Sequence, residues 1–144
     1  MAGAASPLAG PLLAMVALTI VVWTAMYAQR LTFLARNRID PESLGTRAEA
    51  LRRMAPISAR ADNLSNLFEL PVLFYAAVLL AMVTGHDGPA LAAAAWGFVG
   101  LRTLHSLIHC TYNRVTHRFA VYVAASLVLW GMWGALALAL LAGR

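Results

Sequence analysis

Two ionisable side chains stand inside long apolar runs: Glu69 within Leu67 to Thr84, and Arg102 within Pro89 to Leu107. A charge at the centre of a bilayer costs about 2.5 to 3.5 kcal/mol on insertion scales, so each requires a partner or a task. Asp62, Asn66 and Glu69 fall at i, i+4 and i+7, one stripe of a helix. Arg102, His105 and His109 fall at i, i+3 and i+7, a second stripe. Arg114, Arg118 and Tyr122, at i, i+4 and i+8, make a third, provided that the last helix starts early enough to include Arg114. Counting the rise of about 1.5 Å per residue inward from Asp62 and from Tyr112 puts Glu69 roughly 10 Å and Arg102 roughly 15 Å deep. Opposite charges at similar depth are expected to pair.

Three polar stripes at one end of a bundle make a pocket. Arg102, Arg114, Arg118, His105 and His109 surround few acids, and surplus positive charge suits an anionic ligand. The alternative is that the stripes only hold the bundle together, with arginines near the ends reaching out to lipid headgroups. His105 and His109 have the spacing that lets two imidazoles reach one metal ion, but third and fourth ligands are not evident. Cys110 lies about 100° round the helix from His109, and His117 lies beyond a turn. No metal and no haem are expected. Cys110, as the single cysteine, reads as a small core residue.

The elements that position these residues follow from composition. With 61% hydrophobic and 12% charged residues in 144, the chain has about half the charge of a soluble domain. Its apolar segments are apolar all round, as spans facing lipid must be. The expected fold is all-α, an integral membrane four-helix bundle in one domain over 1–144, with helices at about 10–35, 62–84, 89–112 and 117–142. The first segment is expected to be a retained span rather than a cleaved signal, because no basic residue precedes it and the run is long.

Six of the arginines, from Arg36 to Arg60, lie in the first connection, and Arg114 and Arg118 lie in or beside the third. That asymmetry orients both connections to the cytoplasm. Arginines at helix ends and in one loop speak for membrane orientation and against a nucleic-acid partner. The first connection, about 27 residues, is long enough to carry structure. Asp40 as cap, Pro41 and Glu42 in the first turn and Arg52 and Arg53 at the end predict a surface helix over Pro41 to Arg53.

At Asn66-Leu67-Phe68-Glu69-Leu70-Pro71-Val72-Leu73-Phe74, and again at Arg102-x2-His105-x3-His109 followed by Arg118-x3-Tyr122, the sequence resembles the MAPEG superfamily. That name covers membrane-associated proteins in eicosanoid and glutathione metabolism. The resemblance covers nearly the whole chain. It implies a homotrimer in the bacterial inner membrane, with glutathione as co-substrate bound between neighbouring subunits near the cytoplasmic side. It further implies a transferase or peroxidase acting on hydrophobic small molecules drawn from membrane lipid, or a non-catalytic relative that binds a lipid or protein partner. By the same resemblance Asn66, Glu69, Arg102, His105 and His109 line the glutathione pocket. Arg118 stabilises the thiolate with Tyr122 one turn on, and Arg30 and Arg114 supply further cations. The sequence departs from the family pattern at Pro71, two residues after Glu69 where three are usual. His109 stands where tyrosine is common, and Asp62 where an arginine often stands. These departures mark a divergent, bacterial-type member.

Overall fold

The computed structural model describes residues 5–143. The chain forms α1 (Ala9–Asn37), α2 (Arg47–Met54), α3 (Ala59–Asn66), α4 (Leu70–Thr84), α5 (Pro89–Cys110) and α6 (Val115–Ala142), and no strand is present among the described residues. Four stretches are long and apolar enough to cross a membrane: α1, α3 with α4, α5 and α6. The most extensive packing is between α5 and α6; α1 lies against α3 and α5, and α4 against α6.

Each span buries one face and exposes an equally apolar one. On α4 the buried residues Leu70, Phe74, Ala77, Val78 and Ala81 repeat at helical spacing, while Val72, Leu79 and Val83 are exposed. A helix apolar on both faces buries one in the bundle and gives the other to lipid. Phe74 and Phe98 stack at the bundle centre with ring centroids 4.7 Å apart. The helix ends are closed by backbone geometry. Gly85 adopts φ 71°, which brings the His86 N–H onto the Ala81 carbonyl at 2.9 Å and stops α4. Arg38 takes the same left-handed conformation after α1, with the Ile39 N–H on the Leu34 carbonyl at 3.0 Å.

The second span is not the single helix that a stripe from Asp62 to Glu69 requires. Pro71 has no N–H to give the Leu67 carbonyl, and its ring would collide with that carbonyl in a continuous helix. The chain responds with a turn of i→i−3 bonds, Phe68 N–H to Ser65 at 3.0 Å and Glu69 N–H to Asn66 at 3.4 Å, before α4 begins at Leu70. Glu69 sits in the break with φ −99° and ψ −101° and is exposed, as is Asp62.

The surface helix over Pro41 to Arg53 is likewise two pieces. Asp40 caps only a 3₁₀ turn, Pro41–Leu44, through its bond from the Glu42 N–H at 3.0 Å. Thr46 then accepts the Glu49 N–H at 3.2 Å and starts α2 afresh. Glu49 lies in ion pairs with both Arg52 and Arg53, and these hold its carboxyl down at about 2. A depressed carboxyl pKa contributes stability that is present above the ordinary carboxylate range and is lost as pH falls through about 2. In an NMR titration the Glu49 carboxyl of the wild type should therefore protonate near pH 2. The Arg52→Gln, Arg53→Gln variant should return it to about 4.3. A wild-type midpoint near the ordinary value would show that the pairs do not persist in solution.

Candidate functional site

Arg102 is wholly buried on α5, at 0% exposure. The break in the second span supplies its partner: Arg102 Nη2 donates to the Asn66 backbone carbonyl at 2.7 Å, at the last residue of α3. An uninterrupted helix would give that carbonyl to the N–H four residues on. The guanidinium carbon also lies 5.8 Å from the centroid of the Tyr122 ring, a cation–π contact that joins α5 to α6. Arg102 Nε and Nη1 have no hydrogen-bond partner among the described residues.

The next two turns of α5 continue the polar line. His105 Nδ1 lies 3.2 Å from the Arg118 carbonyl oxygen. A carbonyl can only accept, so Nδ1 carries the proton and Nε2 of the neutral ring is left as an acceptor. His109 meets His105 edge to face, with centroids 5.6 Å apart, and Tyr122 lies 5.9 Å from His105. His105 Nε2 and His109 Nδ1 are also unpartnered among the described residues. His105 and His109 are each 2% exposed, so within the chain these residues pack into a closed cluster instead of lining an open pocket. Among the described residues no three His, Cys, Asp or Glu side chains come together as metal ligands would.

Other sequence-derived candidates lie at the rim or apart. Arg118 is half-buried, and its Nη1 donates to Asn113 Oδ1 at 2.7 Å; only its backbone carbonyl meets His105. Asn113 adopts φ 48° in the turn before α6, which brings its amide oxygen to Arg118. Arg114 is the residue before α6, in extended conformation and exposed, so the third stripe begins at Arg118. Asn66 contributes its carbonyl, while its side-chain amide turns back to the Asp62 carbonyl at 3.1 Å. Glu69 forms no ion pair with Arg102 within the chain; the ion pairs among the described residues are those of Glu49. Arg30 lies apart, in a cavity of about 410 Å³ between α1, α2 and α3 that it shares with Arg47 and Asp62.

Asn63 is the polar residue that the stripes do not include. It is 0% exposed, accepts from Ser106 Oγ at 3.3 Å through Oδ1 and donates to Cys110 Sγ at 3.4 Å through Nδ2. It ties α3 to α5 about one and two turns beyond Arg102. Its signal in the sequence is its place on the line Asn63, Leu67, Leu70, Phe74, which is otherwise the apolar buried face.

Four buried, unpartnered polar atoms on two turns of one helix are costly, at about 1 to 3 kcal/mol each. A cationic donor beside an imidazole acceptor suits a group that is anionic and exchanges a proton. The MAPEG family model matches residues 8–138. No curated protein and no solved structure matches the chain.

The contact between Arg102 and the broken helix yields a double-mutant prediction. Arg102→Gln should destabilise the protein in detergent by about 1.5 to 3 kcal/mol, the worth of a hydrogen bond to a charged group. Pro71→Ala restores the missing N–H, favours a continuous helix and draws the Asn66 carbonyl away from Arg102. The cost of Arg102→Gln should then be smaller in the Pro71→Ala background than in the wild type, with a coupling of at least about 0.5 kcal/mol. Additive effects would mean that the break and the arginine are independent.

Proposed function

The chain belongs to the MAPEG family, and on that footing we propose that it is a membrane-bound, glutathione-dependent transferase or peroxidase acting on hydrophobic electrophiles that enter from the bilayer. The observation that carries the reading is the set of unpartnered donors and acceptors on Arg102, His105 and His109, held at one end of the bundle with no carboxylate paired to them among the described residues.

Glutathione offers two carboxylates and a thiol to such a set. Arg102 has two unpartnered nitrogens, Nε and Nη1, in a closed cluster that must open for a carboxylate to reach them, and arginine holds a carboxylate through paired N–H bonds better than lysine can. Arg118, at the rim, keeps guanidinium N–H groups beyond the one on Asn113 and is the cation for the thiolate, with the Tyr122 hydroxyl as a second donor. A thiol with an ordinary pKa of about 8.5 is mostly protonated at neutral pH, so a cation beside it is what creates the nucleophile. The thiolate then attacks the electrophile, with the protein supplying orientation and charge stabilisation.

The separation of Arg30 from Arg102 supports a site shared between protomers. In a homotrimer the Arg30 of a neighbour can face the cluster that the Arg30 of the same chain does not reach, and Glu69, exposed in one protomer, can gain a partner across the interface. We place the first and third connections in the cytoplasm on the strength of their arginines. An impermeant thiol reagent applied to intact cells should then label Gly88→Cys and spare Ser43→Cys, both made in a Cys110→Ser background; the reverse pattern would move the site to the other side.

The test of function is the thiolate absorbance of bound glutathione against pH. In the wild type, ionisation should fall below the free-thiol range. In Arg118→Ala it should move up by a unit or more, about 1.4 kcal/mol per unit. Arg118→Lys should lie between, because a cation remains without the planar fork. Glutathione bound with an unshifted thiol would make this a binding site without catalysis. Absence of binding would favour the reading of a lipid-binding or accessory protein.

A further inference from the structure

A second feature lies on a different face of α5 from the one that carries Arg102, His105 and His109. A groove of about 490 Å³ runs between α1 and α5, from the level of Ala14 to that of Ala25. The eleven helical rises between Ala14 and Ala25 make it about 16 Å long. It exists because Ala14, Ala17 and Ala25 are too small to fill the space that α1 leaves against α5. The α1 wall is wholly apolar. Water gains nothing there, whereas a hydrocarbon chain recovers the dispersion contacts that the walls lack.

One end of the groove is charged. Arg60, the second residue of α3, is half-buried there, and its Nη1 donates to the Ala25 carbonyl at 3.0 Å. That carbonyl is neutral, so the charge of Arg60 is not offset; the ion pairs among the described residues are those of Glu49. The neighbouring hydroxyl of Ser106 is turned onto Asn63. Cys110, also at this end, is the last residue of α5, so the cation stands where a spanning helix leaves the hydrocarbon, at headgroup depth. The other rim is open sideways. Val21 is 63% and Leu107 58% exposed, so a chain can enter from the bilayer while a second chain of the same molecule stays outside.

We propose that this groove is a binding site for an anionic phospholipid, with one acyl chain along α1 and the phosphodiester on Arg60. A net anionic lipid is favoured over a zwitterionic one because the latter brings its own cation beside the arginine. The occupant comes from the membrane and is independent of any thiol bound at the Arg102 cluster.

Cys110 is the single cysteine of the chain and lines the charged end, so it reports on occupancy directly. The protein is placed in nanodiscs of phosphatidylcholine, with or without phosphatidylglycerol, and the rate of Cys110 alkylation by N-ethylmaleimide is measured. Phosphatidylglycerol should slow alkylation several-fold in the wild type and have no effect in Arg60→Gln, each variant being compared with its own rate in pure phosphatidylcholine because loss of a nearby cation by itself changes thiol reactivity. Native mass spectrometry of the same preparations should show phosphatidylglycerol retained by the wild type. It should be lost from Arg60→Gln, and also from Ala17→Leu, which keeps the cation and fills the groove. The proposal is overturned if phosphatidylglycerol gives no protection, if protection persists in Arg60→Gln as a bulk surface-charge effect would, or if phosphatidylcholine is retained equally. It is also overturned if Cys110 is unreactive in every membrane, which would mean that a neighbouring copy covers the groove.

Discussion

A guanidinium cannot be deprotonated at any pH a cell meets, so an arginine buried in a membrane bundle must be given acceptors by the backbone around it. Arg102 obtains one from the interruption of the second span, where Pro71 ends one helix, Leu70 starts another and the Asn66 carbonyl is left facing α5. Arginine and break are thus parts of one device. Without the proline the carbonyl would be absorbed into helix bonding; without the arginine it would keep only the long bond from the Glu69 N–H, at 3.4 Å. Tyr122 adds the third element, since its ring face lies toward the same cation and so brings α6 into the arrangement.

The rest of the site is graded outward from this point. His105 and His109 continue the line with ring nitrogens that are unpartnered among the described residues, Arg118 stands half-buried beyond His105 and Glu69 is exposed in the break. A membrane protein ordinarily avoids such loose polar ends in its interior, because lipid cannot satisfy them. Their concentration at one end of the bundle, beside an unneutralised arginine, is the physical content of the functional reading. The contrast with Asn63 is instructive: it too is fully buried, but both ends of its amide are engaged, by Ser106 and Cys110, and it acts as a tie between α3 and α5.

The spans were legible because apolar runs long enough to cross a bilayer have few other uses, and four of them form the bundle. The stripe on α5 was legible because no residue between Arg102 and His109 interrupts a helix. On the second span the helical spacing was legible too, since Asn63, Leu67, Leu70 and Phe74 stay buried on one line, but the break that Pro71 imposes two residues beyond Glu69 was not. The proline was visible, yet its consequence for Asn66 depends on where α5 stands, which no local pattern specifies. The expected pairing of Glu69 with Arg102 is not made within the chain: Glu69 is exposed in the break while Arg102 is wholly buried, and equal depth does not imply equal burial. In the first connection, the cap at Asp40 was readable, but Thr46 three residues before Glu49 is a competing start, and it prevailed for α2. Arg114 fell outside its stripe because α6 begins one residue later.

The most direct measurement of this account is the dipolar coupling, by solid-state NMR in lipid bilayers, between isotopically labelled Arg102 side-chain nitrogens and the backbone carbonyl carbon of Asn66. A strong coupling at that carbonyl, retained in Glu69→Gln and lost in Pro71→Ala, is the result the account predicts. A strong coupling to the Glu69 carboxyl carbon instead, with none to Asn66, would contradict it and restore a simple buried ion pair as the organising contact.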